Sequence, residues 1–365
     1  MSISSFGRRW LALALAVTSA SLAGCGNVLQ FGDAADAVGH SAVQTALDDQ
    51  IHLIRTGQLA SIHSSALNDS MIELLGDVEE LEILDLAHSQ VTDAGLAYLS
   101  GLTGLRNVNL DNTGVTDAGL AHLAHMAELE QLTLNHTPVT DAGLEQLSPA
   151  VRLTELRLRA TKITDASMPR IGQWTDMRWL SLAGTQITDA GLVHLKPLTH
   201  LIELRLGNTD ITDSGLECLE QMSELQHVSL RNLPLTDAAL AHLRGLENLE
   251  ELLLENTQIT DQGLPCLANL SQLQMLSLAG TRVTGQGLQH LRGLTQLTTL
   301  YLSRCALGDD GLDYLAEMPN LLMVDLTGTQ VTVAGVRRLT QRLPDSAEVR
   351  FDTSTDVDSG PDAGR

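Results

Sequence analysis

The side chains able to do chemistry recur at regular intervals, and the intervals limit what they can do. His122, His194, His242 and His290 hold one repeated position but stand 48 or 72 residues apart, too far to share a metal ion. Cys25, Cys218, Cys266 and Cys305 are too few and too scattered for a disulfide framework or a paired-cysteine zinc site. Cys218 and Cys266 share a column two units apart, so no direct bridge is expected, and Cys305 reads as a buried thiol. Gly280 to Gly285 lacks the lysine of a phosphate loop, and no twelfth-position Glu completes the calcium-like run Asp356-Val357-Asp358-Ser359-Gly360. G-x-S-x-G and H-E-x-x-H are missing from the sequence. The expectation is a protein that is not an enzyme and holds no cofactor and no metal.

One cluster remains. Glu155, Arg157, Arg159, Arg178, Trp179, Glu203, Arg205, His227 and Arg231 recur at a spacing that brings them onto neighbouring strands. With strands about 4.8 Å apart they form a patch roughly 15 to 20 Å across. Arg and Trp anchor interfaces, and a guanidinium fork matches carboxylates, so an acidic protein or peptide is one ligand this patch would suit. The competing reading is that the glutamates and arginines neutralise one another across strands. Asp85, Asn109 and Thr133 precede the patch, while Leu253, Met275, Tyr301 and Met323 make the later half of the face more apolar.

Composition bounds the partner and the core. Lys plus Arg total 22 against 45 Asp plus Glu, a formal charge of -23, so a phosphate backbone is repelled and no nucleic-acid partner is expected. With only 3 Trp, 3 Tyr and 3 Phe, leucine must fill the interior.

The elements that position these residues follow from a 24-residue period. Leu81, Leu105, Leu129, Leu153, Met177 and their successors to Leu321 share one column, giving eleven units over residues 81–344. Each reads L-x-x-L-x-L-x-x-T-x-[VI]-T-D-A-G-L-x-x-L, as in Leu105 to Leu110 followed by Thr113 to Leu120. This pattern resembles the leucine-rich repeat, and its T-D-A-G-L form is similar to repeats of planctomycete-type bacterial proteins and to the cysteine-containing repeats of F-box proteins. The resemblance implies an α/β solenoid, a horseshoe with a parallel β-sheet on the concave face and short helices on the convex face.

Column by column, L-x-L alternates as a half-buried strand does. Thr at the ninth position is expected to satisfy backbone groups where the strand turns away. Thr of T-D-A-G suits a helix N-cap, Asp the positive helix start, and the glycine a close approach between turns; a calcium ladder is the alternative reading of the Asp column. Exposed ends of such an array need covering. Residues 41–80 supply a capping helix (41–56) and a degenerate repeat, residues 345–351 a final strand, and residues 352–365 a polar tail.

At the start, Arg8 and Arg9 precede an uncharged apolar run from Trp10 to about Leu22, too short to span a bilayer. It closes on Leu22-Ala23-Gly24-Cys25, which resembles the lipobox of bacterial lipoproteins. The resemblance implies cleavage of residues 1–24, lipid on Cys25, and residues 25–40 as a tether; losing two arginines and no acids leaves the mature chain at -25. The membrane is then a partner through that lipid, and with Gly26 rather than Asp after the cysteine the outer membrane is favoured. The function expected is noncovalent recognition of a protein or peptide by the concave face of an anchored scaffold in the cell envelope. The alternatives are an F-box-like adaptor of a ubiquitin-ligase type complex, against which the export signal argues, and a purely structural envelope component. Oligomeric state is left open.

Overall fold

A computed structural model describes residues 40–147 and 151–352. Cys25, the leader, the tether and the run from Asp356 lie outside the described residues. The chain divides into two compact units, Met1–Leu47 and Asp48–Arg365. Of the first, only the opening turns of helix α1 (His40–Arg55) are described. At its other end, Gly57 takes a left-handed φ of 70° and Gln58 N donates back to Leu53 O, ending the helix one residue earlier than its sequence suggests.

Within Asp48–Arg365, thirteen strands form one parallel sheet in chain order. They are β1 (Ser61–His63), β2 (Ile83–Asp85), β3 (Asn107–Asn109), β4 (Gln131–Thr133), β5 (Glu155–Arg157), β6 (Trp179–Ser181), β7 (Glu203–Arg205), β8 (His227–Ser229), β9 (Glu251–Leu253), β10 (Met275–Ser277), β11 (Thr299–Tyr301), β12 (Met323–Asp325) and β13 (Glu348–Arg350). From β2 to β12 each residue faces the one 24 positions on, Ile83 opposite Asn107 and Thr299 opposite Met323. The central residue of each strand and the leucine two places later point inward; Leu84, Leu86, Leu156 and Leu158 are fully buried. Helical turns such as Asp93–Tyr98 and Asp117–Leu120 close the other side with Leu96, Leu120 and Leu123. Each leucine removed from water contributes about 1.5–3 kcal/mol, which is how a chain poor in aromatics sustains a core.

The two ends fall out of step. Ser61 pairs with Ile83, 22 positions on, although Asn68 and Asp69 still stand 24 before Thr92 and Asp93. The first repeat therefore lacks two residues between strand and helical turn, which is the form its weak register takes. At the other end Met323 pairs with Glu348, 25 positions on, and the last helix, α2 (Val333–Thr340), begins with Val where most turns have Asp.

Two backbone devices repeat. The eighth position turns left-handed in His88, Asn112, His136, Ala160, Asn208, Asn232, Asn256 and Arg304, with Gly184, Gly280 and Gly328 in the same column. Asn and Gly tolerate this conformation; Ala160 pays for it through its Cβ.

The second device joins repeats. Thr116 N donates to Asp93 Oδ1 at 2.7 Å and Thr116 Oγ1 to Asp93 Oδ2 at 2.6 Å, while the same hydroxyl accepts from Ala118 N. Thr140 binds Asp117, Thr188 binds Asp165 and Thr260 binds Asp237 in the same way. The Asp column thus does more than charge its own helix start: both carboxylate oxygens are engaged by the next repeat. Most repeats carry glycine one turn on, where a Cβ at Gly119 would lie 2.5 Å from Asp93 Oδ1 and one at Gly215 2.3 Å from Asp189 Oδ1, although buried Ala239 occupies this column with the Asp213–Thr236 rung intact. Ser167, in that column, instead donates its hydroxyl to Asp141. Burial alone would raise Asp141 and Asp189, yet hydrogen bonds from Ser167 and Thr164, and from Thr212 and Ser214, outweigh it and hold both below 3.8. One rung is missing, and both partners have gone together: Gly285 replaces Asp and Gly308 replaces Thr in the following repeat. The ninth-position threonines stay within their own repeats, Thr113 Oγ1 donating to Leu110 O and Thr161 Oγ1 to Leu158 O.

Replacing Thr188 by Val should destabilise the fold by about 1–2 kcal/mol, and a double-mutant cycle with Asp165→Ala in urea unfolding should be strongly non-additive. Ala160→Gly should instead stabilise by roughly 1 kcal/mol in the same assay, since it relieves a left-handed alanine.

Candidate functional site

The open face of the sheet is built from the first and third residues of each strand and the seventh-column residue that follows. Parallel register sets Glu155, Trp179, Glu203, His227 and Glu251 side by side in one row, and Arg157, Ser181, Arg205, Ser229 and Leu253 in the next. The structure does bring the patch together, but as a lattice of ion pairs rather than a row of free arginines. Arg157 Nε donates to Glu155, and its Nη1 reaches across β6 to Glu203 Oε1 at 3.2 Å. Arg205 Nε donates to the same Glu203 oxygen at 2.7 Å. Ser181 lies between Arg157 and Arg205 in register, and its short buried side chain leaves the path open.

Glu203 is the hub. Its side chain is only 11% exposed, and both guanidiniums converge on it. Removing one partner of a buried charge is far more damaging than the pair's net worth. Further along, His227 Nδ1 stands 3.6 Å from Glu251 Oε2, and Arg231 Nε 3.1 Å from Glu255 Oε2. The Glu251 carboxylate raises His227 above 6.5 against the opposing effect of burial, and His227 in turn holds Glu251 below 4.5.

Of the two readings the sequence left open, charge pairing describes four of these residues: Arg157, Arg205, His227 and Arg231 each face a carboxylate. Arg159 and Arg178 differ. Both are exposed, Arg159 in the turn after β5 and Arg178 just before β6, and no acidic group pairs with either among the described residues. Trp179, half-buried, adjoins Arg178. Arg157, Arg159, Arg178, Arg205 and Arg231 stand against Glu155, Glu203, Glu251 and Glu255, so the middle of this face carries about one net positive charge in a chain of charge -23. The apolar later half is smaller than its sequence suggests, because Leu253 is buried while Met275, Tyr301 and Met323 remain half-exposed.

Cys218, Cys266 and Cys305 are free thiols, all buried; burial pushes Cys218 up to about 12 and raises Cys305 as well, so neither is a ready nucleophile. His242 pairs with Glu220, and no three metal-ligating side chains converge among the described residues. Two regularities escaped the sequence reading. The left-handed eighth column was signalled by Asn112, Asn208, Asn232, Asn256 and three glycines, and the Asp–Thr rung by the joint loss of Asp at Gly285 and Thr at Gly308.

Comparison with known proteins agrees with this geometry. A family profile described as a leucine-rich repeat matches residues 81–100, 198–219 and 293–316. An internalin from Listeria monocytogenes superposes with a TM-score of 0.63 at 21% identity, over 86% of this chain and 94% of the other. The fold is a leucine-rich-repeat solenoid. A leucine-rich-repeat protein of Leptospira interrogans is similar at a TM-score of 0.51 and 19% identity, over 76% of this chain and 80% of that one. No curated protein sequence matches the chain. The solenoid is an α/β horseshoe, its single parallel sheet forming the concave face that carries the arginine–glutamate lattice.

The His227 ring should titrate above 6.5 in an NMR pH series, and Glu251→Gln should move its midpoint downward; an unmoved midpoint would dissociate the two groups.

Proposed function

We propose that this solenoid is a noncovalent binding scaffold that recognises a protein or peptide through its concave face, held in a bacterial cell envelope by lipid on Cys25. The observation that carries the recognition reading is the sheet face itself. Ion pairs reaching from β5 to β7 tie side chains of the two repeats that flank β6 into a fixed surface, so little entropy is lost when a partner is engaged. On that surface Arg159 and Arg178 keep their donors unspent, with Trp179 alongside as an apolar anchor. An acidic segment of the partner is the complement these three residues favour. Arg157, Arg205, His227 and Arg231 then serve as the brace on which the contact is made. The anchoring reading rests on Leu22-Ala23-Gly24-Cys25 following a short apolar run, a pattern that favours the outer membrane with Gly26 next in line.

The test is a crosslinking capture from native envelopes with the wild-type chain and an Arg159→Glu/Arg178→Glu variant, which leaves the Glu203 lattice intact. A protein captured by the wild type and reduced about tenfold in the variant, at unchanged melting temperature, supports the reading. Equal capture by both would remove these arginines from the interface.

A further inference from the structure

The open face changes character part-way along. From β5 to β9 its first and third strand positions include Glu155, Arg157, Glu203, Arg205, His227 and Glu251, and there the charges stop. Across β10, β11 and the start of β12 the same positions hold Met275, Ser277, Thr299, Tyr301 and Met323. Ser277 adds no polarity to this stretch, because it is buried between Leu253 and Tyr301 in register and its hydroxyl meets no partner. Met275, Tyr301 and Met323 are half-exposed, and Leu322, just before β12, is 42% exposed. Leu322 stands in the column of Arg178 and Met323 in that of Trp179, so one pair of positions carries a cation and an aromatic at one end and two apolar side chains at the other. Thioethers and an aromatic ring adapt their shape to an apolar side chain laid on them.

Both ends lie on one floor, and its proportions limit what can cover them together. Each strand is three residues long, which makes the floor about 10 Å wide. From β6 to β11 it runs five strand spacings, about 24 Å. In between, Arg205 faces Glu203, His227 faces Glu251 and Arg231 faces Glu255, so this interval holds each of its charges in a pair. A floor one chain wide and five strands long is matched by an extended segment laid across the strands. At about 3.3 Å per residue, such a segment covers the distance in about seven residues.

We propose that the bound segment of the partner is an extended peptide with an acidic residue and, about seven positions away, a large apolar residue. The acid meets Arg159 and Arg178, and the apolar side chain lies over Met275, Tyr301 and Met323. This inference rests on the concave-face reading given above, to which it adds a second anchor and a spacing.

The experiment titrates the full chain with synthetic peptides, observed by fluorescence anisotropy. Each joins Asp-Asp to Leu-Phe through alternating Ser and Thr, with the anchors seven positions apart in either chain order, or three apart as the control. Two further peptides replace Asp-Asp by Asn-Asn or Leu-Phe by Ser-Ser. One order of the seven-spaced peptide should bind with a Kd of about 100 μM or tighter, and about tenfold better than the three-spaced and single-anchor peptides. Met275→Ser/Met323→Ser and Arg159→Glu/Arg178→Glu should each weaken it about tenfold at unchanged melting temperature. Equal affinity at both spacings, or binding indifferent to Met275→Ser/Met323→Ser, would overturn the proposal. If no peptide binds while envelope capture still falls in Arg159→Glu/Arg178→Glu, the two-anchor segment is wrong and the concave-face reading stands; if capture is unchanged as well, both fall.

Discussion

The bond on which the structure depends is the one between Asp of one T-D-A-G turn and Thr of the next. Leucines make the repeats stick together, but burial is non-directional and would tolerate sliding. The carboxylate is directional: it accepts from both the amide and the hydroxyl of one threonine, and a displacement of one residue would forfeit both bonds and drive a Cβ into its oxygen. The 24-residue spacing of the strands is therefore fixed from the helix side as much as from the sheet. Because each threonine hydroxyl donates backward and accepts forward, it has one orientation, and the turns are polarised along the array. These carboxylates must be ionised to accept, so stability from Asp141 and Asp189 is present above their ordinary 3.8 and is lost as pH falls through their lower folded values.

Most of this fold is legible in the sequence because a repeat prints its own alignment. The leucine columns give the strands, and the alternation around Leu156 gives their faces. What period alone does not reveal is partner choice. Asp117 is equally consistent with charging its own helix and with reaching Thr140, and only coordinates distinguish a local contact from one 23 residues away. The end repeats show a related effect: their helical turns keep the period while their outermost strands do not, and a column alignment registers only one offset at a time.

The face was legible in membership and not in state. Arg157, Trp179 and Arg205 do lie together, but whether an arginine is spent or available depends on reach, and Arg157 reaches two strands away because Ser181 is small. The sequence ranks Arg157 and Arg159 alike; the structure makes the first a brace and leaves the second exposed.

The two ends of the ladder differ from its middle in a way that bears on length. The first repeat presents Asn68, whose carboxamide caps its own turn by accepting from Met71 N, and the last presents Val333 where an acceptor carboxylate would stand. A series of identical joints has no intrinsic stopping point, and stacked modules of this kind could in principle concatenate into filaments. Among the described residues the first turn makes no Asp–Thr rung upstream and the last offers no carboxylate downstream, while the charged pair Arg350 and Glu348 occupies the outermost described strand. The array carries its own terminators, written into the same two columns that hold it together.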